Sequence, residues 1–321
     1  MIAQAWGWRD EQLAPLTGGL INTTFVVTTD RPIAVLQKLH PIFGADVNLD
    51  LEAVTAHLAA RGMETPRLIR TLDGRPYVED EGVWRATTFV EGVAVATVPD
   101  VTWAEAGGEL VGQFHRAVAD LQYDYRFTRA GVHDTAKHLD RLRTFEGPLV
   151  SAILAAAQDL PALGDQPLRH VHGDLKISNL LFRTDPVRGA ALVDLDTLAK
   201  GTLAFELGDA MRSWCNPHGE DAGHVKFELP IFEAALRGFR RVADAICTER
   251  ERAAIAIGLE TVCVELAARF CVDMYEDRYF GWDPKRFASR VEHNRVRAEG
   301  QLALALDVRA HREAMREVLL G

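Results

Sequence analysis

The apolar residues of this chain change their spacing near Gly92, and that change most constrains how it can fold. Before it, Thr23 to Thr29 (TTFVVTT) and Ile33 to Leu39 (IAVLQKL) are β-branched or apolar runs joined at Asp30-Arg31-Pro32, which reads as two strands and a turn. Asn48 to Ala60 has helical spacing, with Leu51, Val54, His57 and Leu58 on one side and Gly62 to stop it. Tyr77 to Glu79 and Trp84 to Val90 resume the strand pattern around an acidic turn. After Gly92, Trp103 to Leu121 and Leu149 to Leu160 read as helices, and Arg169 to Leu198 as short strands between polar loops. Residues 227–244, 249–275 and 284–318 read as helices, the last with a break. The expected architecture is α+β and bilobal: a β-rich front lobe, residues 1–91, and a mostly helical lobe, residues 92–321, with a cleft between them.

Composition narrows the partners. The chain has 321 residues, 48% apolar and 26% charged, an ordinary globular balance. A formal charge of −10 argues against a nucleic-acid partner, whose footprint is usually a basic patch. It leaves room for a nucleotide, because a metal ion and one or two local cations can neutralise a triphosphate. The opening MIAQAWGWRDEQ lacks the basic start and apolar run of a secretion signal. No stretch approaches the ~18 consecutive apolar residues of a membrane span. A cytoplasmic location without a membrane partner is therefore expected. Cys215, Cys247, Cys263 and Cys271 lie far apart and read as small buried hydrophobes in a reducing compartment.

The segment with the most chemical content is His172-Gly-Asp-Leu-Lys-Ile-Ser-Asn179. A carboxylate with an Asn five positions later repeats the spacing of a kinase catalytic loop: Asp174 as base for a hydroxyl proton, Asn179 as a magnesium ligand. An alcohol is a poor nucleophile until a base orients it and takes its proton. An amide oxygen is a hard ligand that adds no negative charge beside phosphates. Lys176, two residues beyond the base, is close enough to touch a transferring phosphate. Fifteen residues after Asn179, the apolar run Ala190 to Val193 ends in Asp194, the place of a second magnesium ligand. Asp196 either assists that metal or opens a turn.

The front lobe offers matching parts in matching order. Leu16 to Phe25 holds Gly18, Gly19, Asn22 and Thr23, a glycine turn leading into a strand that suits close backbone approach to ATP phosphates or a plain hairpin. Lys38 lies late in the next strand, where a lysine would reach the α- and β-phosphates unless it is simply solvated. Glu52, on the following helix, is the candidate partner that would orient Lys38.

With these motifs in order, the chain resembles the aminoglycoside phosphotransferase and choline kinase superfamily, small-molecule relatives of protein kinases. Gly173, in place of the arginine of H-R-D, fits that branch. Within it, the sequence is similar to the N-acetylhexosamine 1-kinase-like group through Val35-Leu-Gln-Lys-Leu39, His133-Asp-Thr135, Leu195-Asp-Thr197, Glu206-Leu-Gly-Asp-Ala-Met-Arg212, Arg269-Phe270, Tyr279-Phe280 and His293-Asn294 through Gln301-Leu302. The resemblance covers roughly residues 15 to 308. It implies a protein-kinase-like fold, ATP and Mg²⁺ as cofactors, adenine held by backbone near Phe89-Val-Glu91, and transfer to the anomeric hydroxyl of a sugar. His133, Asp134, Asp209, Arg212, His293 and Arg297 are the candidate acceptor residues. Competing roles are an Asp209 that braces the catalytic loop, an Arg212 in an ion pair, and His293 and Arg297 in packing. The alternative acceptors are an aminoglycoside or another small alcohol. A third reading, a non-catalytic nucleotide-binding scaffold, has no use for an intact Asp174, Asn179 and Asp194.

Overall fold

A computed structural model describes residues 2–16, 22–129 and 131–321. The front of the chain is an antiparallel sheet of β1 (Leu13–Pro15), β2 (Thr23–Thr28), β3 (Pro32–Lys38), β4 (Leu68–Ile69), β5 (Val78–Glu79) and β6 (Val83–Thr88). Its order is β1-β2-β3-β6-β4, with β5 also paired to β6. Side chains alternate across the sheet. Ala34 and Leu36 therefore share one face, fully buried with Ala3, Trp6, Val27 and Ala86. Gln37 points to the opposite face, directly across from Arg85.

The helix expected near residues 48–60 is α1 (Val47–Ala60). It lies between β3 and β4 in sequence, and its Leu51, Val54 and Leu58 join the same apolar cluster as Phe114, Val118 and Leu121. Its Asp50 carboxylate accepts from the Tyr123 hydroxyl at 2.7 Å and from the Arg126 and Phe127 amides at 2.9 Å.

The remainder is built on α2 (Val101–Ala117), α3 (Thr135–Leu142), α4 (Pro148–Gln158), α5 (Leu203–Trp214), α6 (Leu229–Ala243), α7 (Glu249–Glu276), α8 (Arg290–Ala310) and α9 (Arg312–Leu320). Asp100 caps α2, accepting from Thr102 N at 2.7 Å, and α2 ends at Ala117, four residues before the expected Leu121. The segment expected as 284–318 starts only at Arg290, where Ser289 caps it, and breaks at His311. The helices α3 and α5 are short, 8 and 12 residues, and motif reading alone does not delimit them.

Two helix crossings bring backbones into contact. A Cβ on Gly108 of α2 would lie 1.9 Å from Ala235 O of α6, and one on Gly238 of α6 would lie 2.0 Å from Glu105 O of α2. Likewise, a Cβ on Gly258 of α7 would lie 1.9 Å from Ala204 O of α5. Only glycine permits these distances. Among the described residues no helix is long and apolar enough to cross a membrane. All four cysteines are buried and unpaired.

Two small ladders sit between the sheet and the helices. β7 (Arg169–Val171) pairs with β10 (Ala199–Gly201), and β8 (Leu180–Thr184) pairs with β9 (Val187–Leu192). Pairing first with last and second with third lays the β7–β8 connection, 172–179, beside the β9–β10 connection, 193–198. Thus Asp174 and Asn179 are brought next to Asp194.

Candidate active site

The 172–179 loop is fixed from several sides. His172 is fully buried, its Nε2 2.9 Å from Val193 O, and its own carbonyl accepts from Thr197 Oγ1 at 2.8 Å. Glu206 on α5 accepts the amides of His172 at 2.7 Å and Gly173 at 2.9 Å, one on each carboxylate oxygen. Gly173 has φ +79°, and a Cβ there would lie 2.6 Å from Thr197 O, so a larger residue fits neither the backbone nor the space. The Leu175 carbonyl accepts from Trp214 Nε1 at 2.8 Å.

Asp174 stands at the half-buried edge of this frame. Its Oδ2 accepts from Lys176 Nζ at 2.9 Å and from Asn179 Nδ2 at 3.1 Å. Asn179 Nδ2 also donates to Asp174 O at 2.9 Å, so the amide nitrogen is committed and the amide oxygen is the ligand atom Asn179 has to offer. Burial alone would lower the Lys176 pKa, but Asp174 outweighs it and the ammonium is held above its usual range. Asp194 sits in the left-handed region at φ 62° and ψ 53°, an uncommon conformation for a non-glycine residue and one often found at functional sites. Burial, then Asp196 and Asp174, push its carboxyl up to about 6.

This charge pattern suits a divalent cation, which would relieve the repulsion on Asp194. Among the described residues, no three His, Cys, Asp or Glu side chains form a ready-made metal cage. Mg²⁺ keeps waters and takes one or two protein ligands plus substrate phosphates. Asn179 Oδ1 and Asp194 are the residues that would hold it.

Asp196, the other candidate ligand, has a different occupation. One oxygen accepts from Arg85 Nη1 and the other from Asn22 Nδ2 at 2.9 Å, in a pair that is nearly inaccessible to solvent. Both oxygens are engaged by residues of the front part of the chain, Arg85 on β6 and Asn22 just before β2, so Asp196 is a tether between the two parts of the chain rather than a free metal ligand.

The sheet also revises the expected lysine–glutamate pair. Lys38 shares its face with Leu36, away from Gln37 and Arg85, and its Nζ lies 5.7 Å from the centre of the Trp84 ring. Glu52 instead forms a fork with Arg70, at 2.8 and 2.7 Å. Period-two alternation is the physical reason: with Gln37 on the Asp196 side, Lys38 must point the other way. Asn22 holds Asp196 and accepts the His40 amide at 2.9 Å, while Thr23 opens β2 opposite Lys38. Gly18 and Gly19 lie outside the described residues. Phe89 follows β6, its amide donating to Ile33 O at 3.1 Å. The Glu91 side chain is exposed, 3.4 Å from Arg183. Beyond it Val93 bridges to Phe182, and a Cβ on Gly92 would lie 2.8 Å from Leu181 Cβ, so the connection between the two parts is pressed closely onto β8.

Several expected acceptor residues form one polar wall. Asp209 pairs with Arg212 at 2.9 Å, and Arg212 reaches Glu220 at 3.0 Å. Arg297 pairs with Asp221 at 2.6 Å and donates to Gly281 O at 2.8 Å. His293 lies 2.9 Å from Asp221 and stacks on Phe287. Burial would raise the Asp209 carboxyl, but Arg212 and then His133 hold it below its usual range, and Lys176 adds to the effect. Asp209 therefore feels the charge of Lys176 on the 172–179 loop. His133 stacks flat on Phe205 and lies 3.2 Å from the buried Glu265 carboxylate, whose other oxygen accepts from Thr135 at 2.7 Å. Burial would lower the His133 pKa, but Glu265 outweighs it and raises it. Asp134 is an exposed cap of α3, accepting from Lys137 N at 3.1 Å. The bracing role considered for Asp209 belongs to Glu206, three residues earlier on the same helix. Glu206 is buried in the first turn after the Thr202 cap, a burial that only the fold reveals.

The fold and site together define a kinase-like phosphotransferase. The chain belongs to the phosphotransferase enzyme family whose profile matches residues 12–243. Among curated proteins it is 28% identical to a homoserine kinase of Granulibacter bethesdensis over 245 residues, 70% of this chain and 67% of that one. Among solved structures, a microcompartment-associated aminopropanol kinase superposes with a TM-score of 0.69 at 16% identity, covering 98% of this chain and 96% of that one. Amicoumacin kinase, solved in complex with AMP-PNP, Ca²⁺ and Ami, superposes with a TM-score of 0.66 at 16% identity, covering 92% of this chain and 90% of that one. At such identities the superpositions establish the fold.

Proposed function

We propose that this chain transfers the γ-phosphate of ATP, with Mg²⁺, to a hydroxyl of a small polar acceptor, most specifically the anomeric hydroxyl of a hexose or N-acetylhexosamine. The observation that carries the phosphoryl-transfer reading is Asp174, anchored by Asn179 and Lys176 and adjoining Asp194. The nucleotide and its metal supply the phosphoryl group and neutralise its charge when bound. Asp174 accepts the acceptor's proton, Asn179 keeps that carboxylate in place, and Lys176 offers an ammonium to the transferring oxygens. Residues 1–91 serve as the nucleotide-binding lobe, with backbone from Phe89 to Glu91 against the base, and residues 92–321 as the catalytic and acceptor-binding lobe.

The sugar reading is supported by the residues that carry the resemblance to the hexosamine 1-kinase-like group. Asp209, Arg212, His293 and Arg297 belong to one wall of alternating donors and acceptors, a chemistry suited to a polyol. A second reading, an amino alcohol, is favoured by the likeness to homoserine kinase and by the acidic Asp209 and Glu265. A panel of hexoses, N-acetylhexosamines, homoserine and aminopropanol with Mg-ATP, read by phosphorus and proton NMR, tests both. A phosphate on the anomeric carbon is the expected product. Phosphate on homoserine or aminopropanol alone transfers the assignment to the second reading, and turnover of none of them refutes both.

A further inference from the structure

We infer that Arg85, rather than Lys38, is the cation through which the front sheet grips the nucleotide phosphates, an inference that rests on the ATP-dependent reading above. The sheet register carries it. Gln37 and Arg85 sit directly opposite each other on adjacent strands, on the face that meets Asp196 and away from Lys38. Gln37 Oε1 accepts from Arg85 Nε at 3.1 Å and from Nη2 at 2.8 Å, while Nη1 donates to Asp196.

A guanidinium has five N–H donors. Those three bonds leave one N–H on each terminal nitrogen without an acceptor among the described residues. Two neighbouring donors on a planar, permanently charged head are the pattern that receives two phosphate oxygens. Arg85 is almost wholly buried, so its head is pre-oriented by Gln37 and Asp196 rather than dispersed in solvent. Asp196 is two residues from Asp194, which places this cation near the carboxylate assigned to the metal. Asn22, just before β2, donates to the other Asp196 oxygen.

The test separates a phosphate contact from mere support of the fold by comparing ATP with adenosine, which has no phosphate. R85Q alone would strand a buried carboxylate, so the variant is the double change R85Q/D196N, with D196N and K38A as controls and R85K as a second variant. Affinities for ATP and adenosine are measured by calorimetry with and without Mg²⁺. The double variant, and to a lesser degree R85K, is expected to lose at least tenfold in ATP affinity, with adenosine unchanged within twofold. K38A should retain the wild-type ATP affinity, and D196N alone should stay within threefold. If the double variant does not fold, R85K decides by the same ratio. Parallel loss of ATP and adenosine, an unchanged ratio, a K38A effect as large, or a D196N effect that reproduces the double variant each overturns the inference. A wild-type protein that binds no ATP overturns the kinase reading together with it.

Discussion

Glu206 accepts the backbone amide of His172 at 2.7 Å from a fully buried position. With the Gly173 amide on its second oxygen, this one side chain holds the chain direction that presents Asp174. Replacing Glu206 with Ala leaves two buried N–H groups unpaired, a destabilisation of about 2–4 kcal/mol. It should also lower kcat by at least about 10²-fold through misplacement of the base. Gln retains one acceptor oxygen, so E206Q should fall between the two. Steady-state kinetics beside thermal unfolding reads both effects, and wild-type kcat in E206A would dismiss the bracing role.

Asp174→Asn tests the base directly. The substitution keeps the shape and removes the proton acceptor, so kcat should drop about 10²–10⁴-fold. ATP affinity, measured by calorimetry, should stay within roughly threefold, since binding does not need the proton transfer. Near-normal turnover would send the search for the base elsewhere.

Ionisation of Asp194 opposes folding. Its carboxyl is pushed up to about 6 from an ordinary value of 3.8, first by burial and then by Asp196 and Asp174. Below the lower value it is neutral in both folded and unfolded chains, and the charge costs nothing. As pH rises from about 4 to 6, the unfolded chain releases this proton first, so stability is lost across that window. Asp194→Asn should therefore unfold like wild type near pH 4 and be more stable above pH 6, by at most roughly 3 kcal/mol. The same variant should lose phosphoryl transfer. Denaturant unfolding of metal-free protein at several pH values measures the gap, and a gap independent of pH would contradict the assigned cause.

Gly258→Ala raises helix propensity yet should destabilise. Its methyl group would enter the space 1.9 Å from Ala204 O, where backbone and not a movable side chain stands in the way. The steric cost of about 1–3 kcal/mol or more exceeds the ~1 kcal/mol gained in propensity. Equilibrium unfolding in urea is the measurement, and an unchanged or higher midpoint would show that α5 and α7 can separate.

The parts that were legible from residues alone are the ones whose geometry is local. His172 to Asn179 is a single loop, and its spacing puts Asp174 and Asn179 within hydrogen-bonding reach of each other. The helix α7 announces its own start with Thr248 and Glu251, a reciprocal cap that the structure contains. Lys38 and Glu52 were not readable in this way. Which face Lys38 takes depends on the pairing of β3 with β6, and a one-residue difference in register exchanges it with Gln37. Arg85 and Glu206 are hidden for a related reason: their partners lie 111 and 34 residues away, and no local pattern marks a long-range ion pair or a brace.

The glycine contact between α5 and α7 has a mechanical consequence. Glu206 and Asp209 both ride on α5, and no layer of adaptable side chains separates that helix from α7 at Gly258. A push on α7 thus travels through stiff backbone to the catalytic loop, with no rotamer available to absorb it. Such a seat behaves as an anvil. Any adjustment to what is seated beside it would have to come from elsewhere than α5, leaving the position of Asp174 unmoved.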